Sequence, residues 1–177
     1  MRLFVAIALS ADMKKSLMRA ISELRNVATQ GNFTKEENLH LTLAFIGEVS
    51  TSRVADAKRA LDKVSAHPFT LALDGGIGRF VRSGGDIYYA NVGGGNALLS
   101  LASDVKRELT AAEFAIEERA FRPHITLGRE VTVSSPVSSI SIEPASMTVS
   151  HFGLYKSERI AGKLTYTEIH RIELLPR

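Results

Sequence analysis

The 177 residues carry 22 Lys and Arg against 19 Asp and Glu, a formal charge of +3, with 45% hydrophobic side chains and no cysteine. That length fits one domain or two tightly joined lobes with a real core, and the mild basicity suits an anionic substrate without establishing one. The absence of Cys excludes disulfides, Cys-ligated zinc and thiol nucleophiles, and no stretch approaches the length needed to span a membrane.

Residues 3–9 form an apolar run preceded only by Arg2, short and weakly charged for a secretory leader. They predict a buried first strand, and a cytoplasmic protein. Ser10 is placed to cap a helix with Asp12 in its first turn and Met13, Leu17, Leu24 and Val27 on one stripe. Residues 39–46 alternate strictly, with Leu39, Leu41, Leu43 and Phe45 on one face and His40, Thr42, Ala44 and Ile46 on the other. Gly47 is expected to end that strand. Residues 50–66 predict a second helix with Val54, Ala57, Leu61 and Val64 inward, ended by Pro68.

Residues 69–73 and 87–92 are strand candidates separated by glycine-bearing turns, with the segment 74–79 read as turn chemistry. Asn96 is the expected cap of a third helix through Leu109, with Leu98, Leu101, Ala102 and Val105 apolar. A strand follows Pro123 and is expected to end at Gly128. Residues 134–141 read as a surface loop or edge strand. Residues 147–155 and 164–174 predict two more strands, joined by a basic loop over 156–163. Strands and few helices in this order give an α+β protein.

One tetrapeptide occurs twice, as His40-Leu41-Thr42-Leu43 and as His124-Ile125-Thr126-Leu127. On a strand, His and Thr share one face while the apolar residues anchor the other. The copies lie nearly half a chain apart, so one domain over residues 1–177, made of two pseudo-symmetric lobes around a central cleft, follows naturally. Histidine ionises near neutral pH, with an unperturbed pKa of about 6.5, so one imidazole can take a proton while the other gives one. That division suits in-line displacement at phosphorus, with the threonine hydroxyls donating to non-bridging oxygens. A single His-x-Thr strand would be ordinary sheet; two copies in the same apolar frame favour a bipartite site.

The flanks sharpen this. Asn38-Leu39-His40-Leu41-Thr42-Leu43-Ala44-Phe45-Ile46-Gly47 and Phe121-Arg122-Pro123-His124-Ile125-Thr126-Leu127-Gly128-Arg129 resemble the paired signatures of the two-histidine phosphoesterases. The nearest branch is the RNA 2′,3′-cyclic phosphodiesterases, also called 2′-5′ RNA ligases. The resemblance extends to the opening segment 2–7 and the closing segments 154–157 and 162–166. It implies a bilobal fold of two antiparallel sheets around a cleft with helices outside. It implies metal-independent, cofactor-free hydrolysis of RNA 2′,3′-cyclic phosphate ends, tRNA fragments or nucleotides among them, to 2′-phosphomonoesters, with reverse 2′-5′ ligation available. It implies His40 as proton donor, His124 as proton acceptor, and Thr42 and Thr126 as phosphate-binding residues. A monomer suffices for such a site.

Phe45 and Arg129 each stand five residues after their His and are nucleotide-binding candidates, Phe45 by stacking and Arg129 by forking onto phosphate. Strict alternation opposes this, placing both away from the histidines unless the strands bulge near Gly47 and Gly128. His67, His151 and His170 fall outside any matching frame and read as surface or structural residues. Two alternatives remain open: a related enzyme acting on small cyclic nucleotides or 2′-5′ oligonucleotides, and a nucleotide-binding module without turnover.

Overall fold

The computed structural model describes Met1–Arg177. The chain runs β1 (Arg2–Ala8), α1 (Ala11–Val27), β2 (Ala28–Phe33), β3 (His40–Glu48), α2 (Val54–Asp62), β4 (Phe69–Phe80), β5 (Asp86–Gly93), α3 (Gly95–Ala111), β6 (His124–Val133), β7 (Ser146–Val149), β8 (His151–Ile160) and β9 (Lys163–Glu173). The strands make two antiparallel sheets, ordered β3-β1-β8-β9 and β2-β6-β5-β4-β7. Without β2 they match strand for strand, so β3 corresponds to β6 and β1 to β5. The duplication is therefore wider than the tetrapeptide that announces it in the sequence.

The helices stitch the lobes together. The α1 helix leaves β1 in one sheet and packs on β6 and β7 of the other, while α3 leaves β5 and packs on β3. The α2 helix lies against α3 and β9. One apolar core results, with Leu41, Leu61, Leu101, Leu127 and Phe152 in the same continuous cluster. Ser10 caps α1 as expected, its hydroxyl accepting from the Met13 N–H at 3.3 Å, and Met13, Leu17, Ala20, Ile21 and Leu24 are buried. No helix is long and apolar enough to cross a membrane.

Several elements depart from the sequence expectation for physical reasons. The α2 helix follows a 3₁₀ turn over Thr51–Arg53 and ends at Asp62, before the buried Val64; Pro68 bars helix from the residue before it. The α3 helix starts at Gly95 with Gly94 as its cap, so Asn96 lies inside the first turn and caps nothing. Residues 147–155 are two strands in different sheets, with the switch at Ser150. Val149 and Phe152 enter the same core from either side of it, which makes the apolar run look continuous.

Residues 156–163 are not a loop. They are the end of β8 and a two-residue turn at Ala161 and Gly162, both at positive φ, as the twist of a tight hairpin requires. The glycine segment 74–79 is strand too, irregular between Leu73 and Ile77. Gly78 is required there, because a Cβ would come within 2.3 Å of the Tyr89 ring. The strand β6 runs through Gly128 to Val133. The polar strand β2 pairs only with β6 at the sheet edge and carries no apolar alternation to announce it.

Phe152 is fully buried between the layers. Phe152→Ala is expected to lower stability by about 3–5 kcal/mol, read as a fall in the urea midpoint with an unchanged slope.

Candidate active site

Each His-x-Thr strand carries one extra residue directly after its threonine. Ala6 of β1 lies opposite Thr42 and Val5 opposite Ala44, leaving Leu43 without a partner. In the other lobe Tyr89 of β5 lies opposite Thr126 and Tyr88 opposite Gly128, leaving Leu127 without a partner. A bulge shifts the alternation by one. Phe45 and Arg129 are thereby brought to the face that carries the histidines and threonines. Strict alternation, with Phe45 among the core residues, is corrected: Phe45 is 49% exposed, and the Arg2 guanidinium lies 4.8 Å from its ring centre. The positive charge of Arg129 is felt at both His40 and Tyr166, which places it at the same cleft.

The two imidazoles are held alike. His40 Nδ1–H donates to the carbonyl of Asn38 at 2.7 Å, and His124 Nδ1–H donates to the carbonyl of Arg122 at 2.7 Å. A carbonyl can only accept, so each neutral ring carries its proton on Nδ1 and keeps Nε2 for exchange. Asn38 is itself buried, its amide donating to the carbonyl of Leu164 at 3.0 Å. Pro123, with its restricted φ, stands between Arg122 and His124.

Aromatic rings complete both supports. Phe4 and Tyr166 lie 5.0 and 5.2 Å from the His40 ring; Phe80 and Tyr89 each lie 5.3 Å from that of His124. None of these four was singled out from the sequence. Phe4 and Tyr166 belong to the flanking segments that carried the family resemblance, whereas nothing local distinguishes Phe80 or Tyr89.

The lobes are not identical. His40 Nε2 is 2.9 Å from Thr42 Oγ1 and accepts the hydroxyl proton when the ring is neutral. Thr126 lies half-buried on the equivalent face of β6. Burial holds His40 below the ordinary imidazole pKa; the Asn38 carbonyl opposes this, and the positive charges of Arg129 and His124 add to it. Burial raises the Tyr166 phenol, with Arg129 and Arg2 partly offsetting the rise. The charges that act on these two groups are positive. His67, His151 and His170 lie elsewhere: His170 pairs with Asp62 at 2.7 Å, His67 bonds the Leu175 carbonyl, and His151 lies against Ser150. No three His, Asp or Glu side chains converge as a metal cage.

Matched sheets that each deliver one His-x-Thr strand to a shared cleft are the fold of the two-histidine phosphoesterases. The chain belongs to the 2′-5′ RNA ligase superfamily, whose model matches residues 13–161. It is 29% identical to an RNA 2′,3′-cyclic phosphodiesterase of Thermotoga maritima, over 89% of this chain and 87% of that one. It is also 29% identical to an RNA 2′,3′-cyclic phosphodiesterase of Escherichia coli K12, over 96% and 94% of the two chains. The crystal structure of E. coli LigT in apo form superposes with a TM-score of 0.80 at 29% identity, covering 98% of this chain and 96% of that one.

Two outcomes follow for His40. Its imidazole is expected to titrate below the ordinary value of about 6.5 in the free protein, and to move up when inorganic phosphate binds beside it; NMR titration of the ring protons reads both. Because the folded-state pKa is depressed, the fold prefers the neutral ring. The stabilisation is fully present above about pH 6.5 and is lost as pH falls through the folded pKa. His40→Gln is expected to flatten that part of the stability–pH curve, measured by denaturant midpoints across the window.

Proposed function

We propose that the protein opens 2′,3′-cyclic phosphate ends of RNA to 2′-phosphomonoesters, with His124 as general base and His40 as general acid. The observation that carries this reading is the pair of Nδ1-anchored imidazoles, one from each lobe, bordering a single cleft. Displacement at phosphorus needs a proton taken from the attacking water on one side and a proton given to the leaving 3′ oxygen on the other. With Nδ1 committed to a carbonyl, only Nε2 exchanges protons in each ring. Two relatives of the chain bear the name of this activity.

The His40–Thr42 contact gives the acid a second role. Protonation of Nε2 ends its acceptance from Thr42, so the ring proton faces the leaving oxygen and the Thr42 hydroxyl proton becomes available to a phosphate oxygen. Thr126 serves the phosphate from the other lobe, and Arg129 opposes the charge that builds on the non-bridging oxygens. The phosphodiester anion raises the His40 pKa that burial and the nearby cations depress, so substrate loads its own acid. Phe45, exposed on the cleft face, supplies a stacking surface for the terminal base. With a 5′-hydroxyl in place of water, the same groups form a P–O5′ bond and break the P–O3′ bond, His124 taking the hydroxyl proton and His40 protonating the 3′ oxygen, which is 2′-5′ ligation. The electrostatic part is carried by positioned donors, so the proposed reaction is independent of metal.

An RNA ending in a 2′,3′-cyclic phosphate is expected to give a 2′-phosphate, identified by chromatography against both isomers. A 3′-phosphate would reverse the leaving group and overturn the assignment. His40→Ala and His124→Ala are each expected to lower kcat by at least about 10²-fold, with a bell-shaped pH profile in the parent enzyme and no loss to a chelator. Full activity in either variant, or an absolute metal requirement, would sink the mechanism.

A further inference from the structure

A cavity opens beside the paired histidines, reached by Thr42, Phe45 and His124 but not lined by His40, Thr126 or Arg129. Its volume is about 1080 Å³, beyond the range of about 300–1,000 Å³ usual for small-ligand pockets. Thr42, Phe45 and His124 bound only part of it. The remainder runs past Phe80 and along α3, where Leu99, Ser103 and Lys106 form one helical stripe facing the opening. Leu99 is 47% exposed there, an apolar side chain open to solvent.

Charge along this extension is unbalanced. Arg82, Lys106, Arg119 and Arg122 line it against Glu117 and Glu118, and of these only Arg119 and Glu117 pair with each other. The Arg82 guanidinium lies 5.7 Å from the centre of the Phe80 ring, and that ring in turn meets the edge of His124. Cations interleaved with aromatic and apolar surface are what a single nucleic-acid strand requires, phosphates on the charges and bases on the flat faces.

We propose that this extension is a subsite for the nucleotide preceding the cyclic end, with Arg82 and Lys106 on its phosphate and Phe80 and Leu99 beneath its base. The inference rests on the phosphodiesterase reading above and deepens it: the substrate is a strand, not a free nucleotide. The strand enters along α3 and delivers its last ribose between the two histidines.

The test compares a nucleoside 2′,3′-cyclic monophosphate with a trinucleotide ending in the same group. The parent enzyme is expected to show a kcat/KM at least about tenfold higher for the trinucleotide. That advantage is expected to fall with rising salt, while the mononucleotide rate changes little. The double variant Arg82→Ala/Lys106→Ala is expected to lose about tenfold on the trinucleotide and to keep the parent rate on the mononucleotide, which also reports that the fold is intact. Leu99→Glu, at an exposed position, is expected to act in the same direction. Equal rates on the two substrates, or equal losses on both in the variants, would overturn the subsite and leave the phosphodiesterase reading standing. Hydrolysis of neither substrate would overturn both.

Discussion

The unpaired residue directly after the threonine of each His-x-Thr strand governs what the cleft contains. Without Leu43 and Leu127 outside the ladder, the two strands would keep strict alternation and present His and Thr alone. The extra residue turns the chain over after the threonine. Leu43 and Leu127 stay buried, while Phe45 and Arg129 come round to join the histidines. Three side chains reach the cleft from each strand's short span, His40, Thr42 and Phe45 from one and His124, Thr126 and Arg129 from the other, without breaking the apolar anchorage beneath it. Because both lobes carry the bulge at the same place, an aromatic surface and a guanidinium stand at equivalent positions on either flank of the paired histidines.

The imidazoles depend on a different kind of constraint. A carbonyl two residues upstream takes the Nδ1 proton of each, and two aromatic rings limit where each imidazole can tilt. Burial then works against charge at His40, and the cations around the cleft work in the same direction. That balance disfavours the charged imidazole until an anion arrives. Coulomb attraction from a bound anion acts in the opposite sense, so anion binding and protonation of His40 are linked.

The interlocked lobes keep this geometry rigid. The α1 and α3 helices each cross to the sheet they did not come from, and the apolar core is continuous between the halves. Neither His strand can move with a separate lobe without disturbing that shared core. The cleft beyond the histidines is framed by α3 and the β4–β5 hairpin, so the crossover that stabilises the fold also builds the wall along which a strand could lie.

Much of this was legible in the chain. The duplicated His-x-Thr frame, the Ser10 cap, the α1 stripe and the buried first strand are local patterns, and local patterns follow from side-chain spacing alone. The same is true of the pairing of His40 with Thr42, since i and i+2 share a face on any regular strand. The strand switch at Ser150, the polar edge strand β2 and the strand course through Gly76, Gly78 and Gly128 were hidden, because each depends on what lies opposite. By itself the sequence determined the chemistry on offer, two imidazoles and two hydroxyls on anchored strands. Only the tertiary structure decided that Phe45 and Arg129 join them, which rings hold each histidine, and that His40 resists its proton. Register, packing and burial are properties of neighbours in space, and no spacing along one strand contains them.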